Sequence, residues 1–234
     1  MKNNIISDKY LSIVTPVLNE EEGIMPFLKS LQVYRSSQVE IILVDGGSDD
    51  NTRALAEPWV DQLFQVPAGR AAQMNYGAKK AKGEVLLFLH GDTFLPDEAF
   101  EALDSFLNSA ALWGHFDLKL SGKHPLFRII ERFINVRSRL SGIATGDQAM
   151  FIKRTVFIEM EGFPVIPLME DVAFSSILKR QSAPLCINFP VMTDSRRWQQ
   201  KGILKTVLLM WGLRFAFYLG VSPRRLHAWY YTGR

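Results

Sequence analysis

Several groups of residues have types and spacing that could do chemistry. His90, Gly91 and Asp92 close the apolar run Leu86–Leu89. An imidazole two residues from a carboxylate suits a divalent cation, because both are hard-to-borderline ligands. Asp92 could equally cap a turn, with Gly91 easing the bend. Asp45 ends a second apolar run, Val39–Val44. A carboxylate there can accept hydrogen bonds from a base N–H or from ribose hydroxyls, and a turn aspartate is its plainer role. Arg70 follows the loop Pro67-Ala68-Gly69, either as a solvated cation or as a planar fork for phosphate. Glu170 and Asp171 open an apolar segment, where paired acids suit a helix N-terminus. Gly146-Asp147-Gln148 precedes another short apolar run, and Asp194-Ser195-Arg196-Arg197-Trp198 sets cations beside an indole.

The elements that must position these groups follow from periodicity. Leu11–Leu18 reads as a strand, with Pro16 tolerated near its end. Three acids, Glu20 to Glu22, open a helix whose Ile24, Phe27, Leu28 and Leu31 form one apolar stripe. Val39–Val44 is a second strand, apolar enough to be buried on both faces, and Ser48 is the expected N-cap of a helix through Ala56. Leu63–Val66 is a third strand, and a helix of small residues spans Ala71–Ala81. Leu86–Leu89 is the fourth, followed by a helix over Pro96–Leu107. This β-α-β-α-β-α-β-α order predicts an α/β fold, a mostly parallel central sheet flanked by helices. Ligands in such sheets bind in the crevice beyond the carboxyl ends of the strands.

The second half is less regular. A strand is expected over Leu112–Leu120 and another over Met150–Lys153, with a helix over Glu170–Lys179. Leu126, Ile129, Ile130, Phe133, Val136 and Leu140 form a helical stripe, with Arg128, Arg132 and Arg139 near the opposite face. Gly202–Leu219 is the most apolar stretch, but Lys205 and Arg214 interrupt it, leaving no uncharged run able to span a bilayer. Its aromatics, with Trp229, Tyr230 and Tyr231 among Arg224, Arg225 and His227, resemble an interfacial helix pair. A core helix or a homodimer face is the alternative for the same stretch.

Composition bounds the function classes. With 234 residues, 47% hydrophobic and 22% charged, the chain can bury one sizeable core, so one domain with appendages is expected. A net charge of +3 is too mild for a dedicated nucleic-acid binder and fits a bound diphosphate or an anionic membrane surface. The single cysteine, Cys186, excludes a disulfide framework or thiolate metal cluster within the chain, and points to a reducing cytoplasm. Met1–Lys9 is polar and lacks the apolar core of a signal peptide. No Gly-x-Gly-x-x-Gly turn follows the first strand, and no P-loop is present.

Taken in order, Val14–Glu20, Val44–Thr52, Asn75–Gly83, the strand ending in Asp92, Glu170-Asp171 and Arg196-Arg197-Trp198 resemble glycosyltransferase family 2, the nucleotide-sugar-dependent transferases of the GT-A fold. The resemblance is dense from Leu11 to Pro96 and is then carried by short motifs, pointing to a compact bacterial subgroup. It implies a GT-A domain over 1–199, with a nucleotide-binding half at about 10–110 and an acceptor half at about 111–199. A C-terminal helical appendage at 200–234 would serve as a membrane-interface or dimerisation segment. By resemblance, Thr15, Pro16, Glu20, Asp45 and Asn75 contact the nucleotide sugar, with Arg70 at the base or diphosphate. Asp92 matches the last acid of the Asp-x-Asp metal motif, Asp171 the general base, and Glu170 its catalytic neighbour. Gly146, Asp147 and Gln148 fall on the acceptor side. Arg197 and Trp198 match the end of the Gln-x-x-Arg-Trp motif, but Asp194 stands in place of glutamine, which puts processivity in doubt. His90 replaces the first acid of Asp-x-Asp, favouring manganese over magnesium as the divalent cation.

The implied activity is transfer of a sugar from a nucleotide-diphosphate donor to a hydroxyl acceptor, inverting and metal-dependent, with a lipid-linked or otherwise apolar acceptor. Cytoplasmic placement, with peripheral contact at the inner face of the membrane through 203–231, accompanies it. The alternatives are a catalytically inactive module of the same fold that binds a membrane surface or a partner, and a nucleotidyltransferase. The latter needs a Gly-rich basic loop after strand one, which Pro16-Val17-Leu18-Asn19 matches poorly.

Overall fold

A computed structural model describes residues 10–196 and 202–232. The first strand, β1 (Leu11–Val17), is buried almost throughout and lies between two parallel neighbours, β2 (Val39–Asp45) and β4 (Val85–Phe88). Outside β2 lies β3 (Gln62–Gln65), also parallel. The chain thus steps from β1 outward to β2 and β3, then returns to the other side of β1 at β4. That reversal is a topological switch point, where the helices on either side leave a crevice at the strand ends.

Burial explains the elements. In α1 (Glu21–Leu31) the buried residues are Ile24, Phe27, Leu28 and Leu31, the stripe that periodicity predicts. Each such side chain contributes roughly 1.5–3 kcal/mol of transfer free energy. On the other face, α3 (Arg70–Lys80) packs so closely that a Cβ on Gly77 would lie 2.5 Å from Val14 Cγ1 and 3.0 Å from Val44 Cγ2. Only glycine allows that approach. The short α2 (Thr52–Ala56) is preceded by Asn51, not capped by Ser48. The Ser48 hydroxyl instead donates to Asp45 and accepts from the Asn19 N–H, because the turn's own carboxylate is nearer than the helix.

Beyond β4 the sheet turns mixed. A two-residue strand, β5 (Thr93–Phe94), intervenes before α4 (Ala99–Leu107), which therefore starts three residues later than expected. Next come β6 (Trp113–Leu120), α5 (Pro125–Ser141), β7 (Phe151–Lys153), α6 (Arg154–Glu159), α7 (Glu170–Leu178) and β8 (Leu185–Thr193). The eight strands run β3-β2-β1-β4-β7-β6-β8-β5, with β7 antiparallel to both β4 and β6. Two helices, α8 (Ile203–Tyr218) and α9 (Pro223–Thr232), end the described chain. No described helix is long and apolar enough to cross a membrane.

The expected helical stripe falls on α5, and most of it is not packed into the core. Its apolar stripe faces outward: Ile129, Phe133, Val136 and Leu140 are exposed, while Phe127, Glu131, Ile134 and Ser138 are buried. The reason is hydrogen bonding along β6, whose far half has no strand on the α5 side. There Asn135 Oδ1 accepts from Leu118 N at 2.8 Å and its Nδ2 donates to Leu118 O at 3.0 Å. Glu131 Oε1 accepts from Leu120 N at 2.6 Å, and Arg128 donates to Leu120 O at 2.9 Å. Buried backbone groups need partners, and α5 must turn its polar side inward to supply them.

Candidate active site

The crevice at the switch point holds a cavity of about 730 Å³, within the usual size of ligand sites. Its near wall is Pro16 to Glu20 after β1, the Gly69–Gln73 start of α3, and His90-Gly91-Asp92 after β4. Gln73 fixes this wall, since its Nε2 donates to Val17 O and Val44 O at 2.8 Å each, tying the ends of β1 and β2. Arg70, at the first turn of α3, faces the cavity and feels the charges of Glu170, Asp171, Tyr230 and Asp92.

The opposite wall comes from the start of α7. Met169 adopts a left-handed conformation at φ 69°, uncommon for a residue with a side chain, and aims Glu170 and Asp171 inward. Asp171 Oδ2 accepts from the Gly146 N–H at 2.7 Å and its Oδ1 from the Val172 N–H at 2.7 Å, so two backbone donors fix the carboxylate. Glu170 is 3% exposed, with Oε1 3.5 Å from Arg70 Nη1. Burial, then the charge of Asp171, pushes its pKa up to about 7, against the pull of Arg70. His90 packs over Gly146: a Cβ there would lie 2.6 Å from the imidazole Cε1 and 2.8 Å from Nε2.

The expected residues thus fall into two groups. Pro16, Glu20, Arg70, His90, Asp92, Glu170 and Asp171 line the cavity. Gly146 sits against it through His90 and Asp171. Thr15 is fully buried behind it, with Oγ1 unpartnered. Asp45 is also fully buried, and its carboxylate accepts from Gly47 N at 2.9 Å, Ser48 N at 3.0 Å and the Ser48 hydroxyl. Asn75 is held by the Phe163 backbone, donating to its O at 2.8 Å and accepting from its N at 2.9 Å. Gln148 is buried in a capping box with Thr145 and accepts from the Ser138 hydroxyl at 2.8 Å. Asp147 accepts from the Thr145 hydroxyl. Arg197 and Trp198 lie outside the described residues, and Asp194 N donates to Asp92 O at 3.1 Å.

The sequence reading missed Gln73 and the third wall, formed by Met210, Leu213 and Arg214 of α8 with His227, Tyr230 and Tyr231 of α9. Leu213 and Leu226 anchor these helices on Ile143, Met169 and Val172. Among the described residues no three His, Cys, Asp or Glu side chains are grouped as a metal cage.

The sequence model described as Glycosyl transferase family 2 matches residues 12–158. Glycosyltransferase AglE of Haloferax volcanii is 32% identical over 36% of this chain and 30% of its own length. An uncharacterised glycosyltransferase of Haemophilus influenzae is 33% identical over 42% of each. The chain therefore spans less than half the length of either relative. Among solved structures, TarS 1-349 from Staphylococcus aureus in complex with UDP-GlcNAc superposes with a TM-score of 0.65 at 18% identity, over 80% of this chain and 59% of that one. The mannosyltransferase PcManGT from Pyrobaculum calidifontis, in complex with GDP-Man and Mn2+, gives 0.60 at 19% identity, over 79% and 56%. The fold is GT-A.

Proposed function

The chain belongs to glycosyl transferase family 2, and from that premise we propose that it moves a sugar from a nucleoside-diphosphate donor to an acceptor hydroxyl. The observation that carries this reading is the convergence of Arg70, Asp92 and Asp171 on one cavity at the switch point. Breaking a sugar–diphosphate bond leaves negative charge on the departing phosphate. Arg70 supplies preorganised positive charge for it. Asp92, with His90 as a candidate second ligand, would hold a divalent cation, manganese being favoured by the imidazole. That cation would act as a Lewis acid on the leaving group. Asp171, its carboxylate oriented by two N–H groups, takes the acceptor's proton as attack proceeds. One displacement of this kind inverts the anomeric centre. Two relatives of the fold carry nucleotide sugars in their structures, UDP-GlcNAc in one and GDP-Man with Mn2+ in the other, which supports a donor of this class.

Calorimetric titration of UDP and GDP, with and without manganese, tests the reading on wild type and Asp92→Ala. Manganese-dependent binding that Asp92→Ala weakens is the expected result. Failure of wild type to bind either nucleotide in either condition would favour an inactive module of the same fold.

A second reading concerns the surface beside the cavity. Exposed Ile129, Phe133, Val136 and Leu140 of α5 adjoin exposed Leu204, Leu208, Trp211 and Phe215 of α8, joined where the Phe133 and Trp211 rings meet at 4.8 Å. No Asp or Glu occurs from Gly202 to Arg234, while Lys205, Arg214, Arg224 and Arg225 do. An apolar face whose α8 and α9 half carries only positive charges complements an anionic lipid surface, and we assign it that partner. This reading places the enzyme peripherally on the inner face of the cell membrane, with a lipid-linked or apolar acceptor. Light scattering that shows a dimer through this face would assign it to a second copy instead.

A further inference from the structure

Two arginines near the cavity have no carboxylate at ion-pair distance among the described residues. Arg137 is on α5 and Arg214 on α8, one turn beyond the Phe133–Trp211 contact in each helix. The Nε of each is buried and has no hydrogen-bond partner among the described residues. Arg137 spends Nη2 on the Ser138 hydroxyl at 3.0 Å and on Gln148 Oε1 at 3.5 Å, both neutral groups. Arg214 lines the cavity, and Arg137 feels the charges of Asp147, in the turn before β7, and Asp171, in the first turn of α7.

Like charges held close together out of water are costly unless something anionic joins them. Burial and then the charge of Arg214 lower the pKa of Arg137 to about 10, against the pull of Asp147 and Asp171. The planar fork of arginine matches the oxygens of a phosphoryl group, and two forks from adjacent helices can grip one tetrahedral anion.

We propose that Arg214 on the cavity wall, with Arg137 of the adjoining helix, forms a phosphate subsite that receives a phosphoryl group of the acceptor. This rests on the transferase reading of the same cavity. The acceptor assignment follows from position. Arg70 and Asp92 serve the wall built on the strand ends, whereas Arg214 belongs to the wall made by α8, whose Leu213 packs on Met169 and Val172 around the start of α7, the helix that carries Asp171. The acceptor is thus an alcohol that also carries phosphate, on a lipid or on a soluble molecule.

The test uses inorganic phosphate as the probe, titrated by calorimetry into the full chain with and without saturating UDP or GDP and manganese. Wild type is expected to bind phosphate with the nucleotide in place. Arg137→Gln and Arg214→Gln should each weaken phosphate about tenfold and leave nucleotide affinity unchanged. Arg137→Lys, which keeps the charge and loses the fork, should fall between. Arg214 reaches the cavity surface, so Arg214→Gln decides the matter if Arg137→Gln does not fold. Liposomes bearing a phosphomonoester lipid, set against free phosphate, separate the two sources of the group. No phosphate binding by nucleotide-loaded wild type, or equal affinity in all variants, overturns the proposal. Equal loss of phosphate and nucleotide also overturns it, because the pair would then serve the donor. Absence of nucleotide binding in wild type is a different outcome and strikes the transferase reading alone.

Discussion

The Gly146 N–H donates to Asp171 Oδ2 at 2.7 Å, while the His90 ring occupies the space in which a side chain on Gly146 would begin. One glycine therefore sets the position of a carboxylate through its backbone and of an imidazole through its missing Cβ. Replacing it by alanine should shift one or the other. Gly146→Ala is expected to cost roughly 1–3 kcal/mol by overpacking. His90→Ala in the same chain should return most of that loss, because it empties the contested space. A double-mutant cycle on urea midpoints reads the coupling, and additive effects would show that the two residues do not compete.

Asp171→Asn keeps the shape but removes the proton acceptor and one of the two backbone contacts, since an amide nitrogen cannot accept from an N–H. Turnover with a nucleotide sugar is expected to fall by about 10²–10⁴-fold, the usual worth of a general base. Nucleotide affinity should be unchanged. Near-wild-type turnover in initial-rate assays would take the role away from Asp171.

Glu170 gives a pH dependence whose sign follows from its burial. Its pKa is raised from 4.5 to about 7, so over that window the native chain keeps a proton that the unfolded chain has released. Stability from this group therefore falls as pH rises from 4.5 to 7, and below 4.5 the penalty is absent. Glu170→Gln cannot ionise, so its melting temperature relative to wild type should climb across the window. A constant difference between the two melting curves at every pH would contradict this environment.

Asn75 separates a packing role from a binding role. Both of its amide atoms engage the Phe163 backbone, joining α3 to the loop after α6. Asn75→Ala leaves two buried backbone groups unpaired and should cost roughly 1–3 kcal/mol in chemical denaturation. Nucleotide affinity should stay at the wild-type value. A selective loss of nucleotide binding would instead make it a ligand contact.

The outward apolar face makes its own prediction. The triple variant Leu208→Ser, Trp211→Ser, Phe215→Ser should lose flotation with anionic liposomes while keeping its melting temperature, since all three residues are exposed. Wild type that ignores anionic liposomes would dismiss the membrane reading.

The parallel half of the fold was legible because each strand is an apolar run that stops at a polar residue, as β2 does at Asp45 and β4 just before His90. The α1 stripe was legible for the same reason, since burial alone sets its rotation. Periodicity found the α5 stripe but could not say which way it faces, because hydrogen bonds to Leu118 and Leu120 set the helix's rotation. The wall made by α8 and α9 was hidden because it depends on contacts between distant segments, such as Leu213 and Leu226 on Met169. Gln73 gave no local signal: a glutamine that ties two strand ends looks like any other polar helix residue.

The side chains of Asn135, Glu131 and Arg128 that satisfy β6 also decouple two properties of α5. The helix is clamped in rotation from within, so residues on its outer side do not determine how it sits. Descendants of this sequence can make that outer side greasier or more hydrophilic without refolding the chain. Affinity for whatever it meets can therefore drift under selection separately from the chemistry at Asp171.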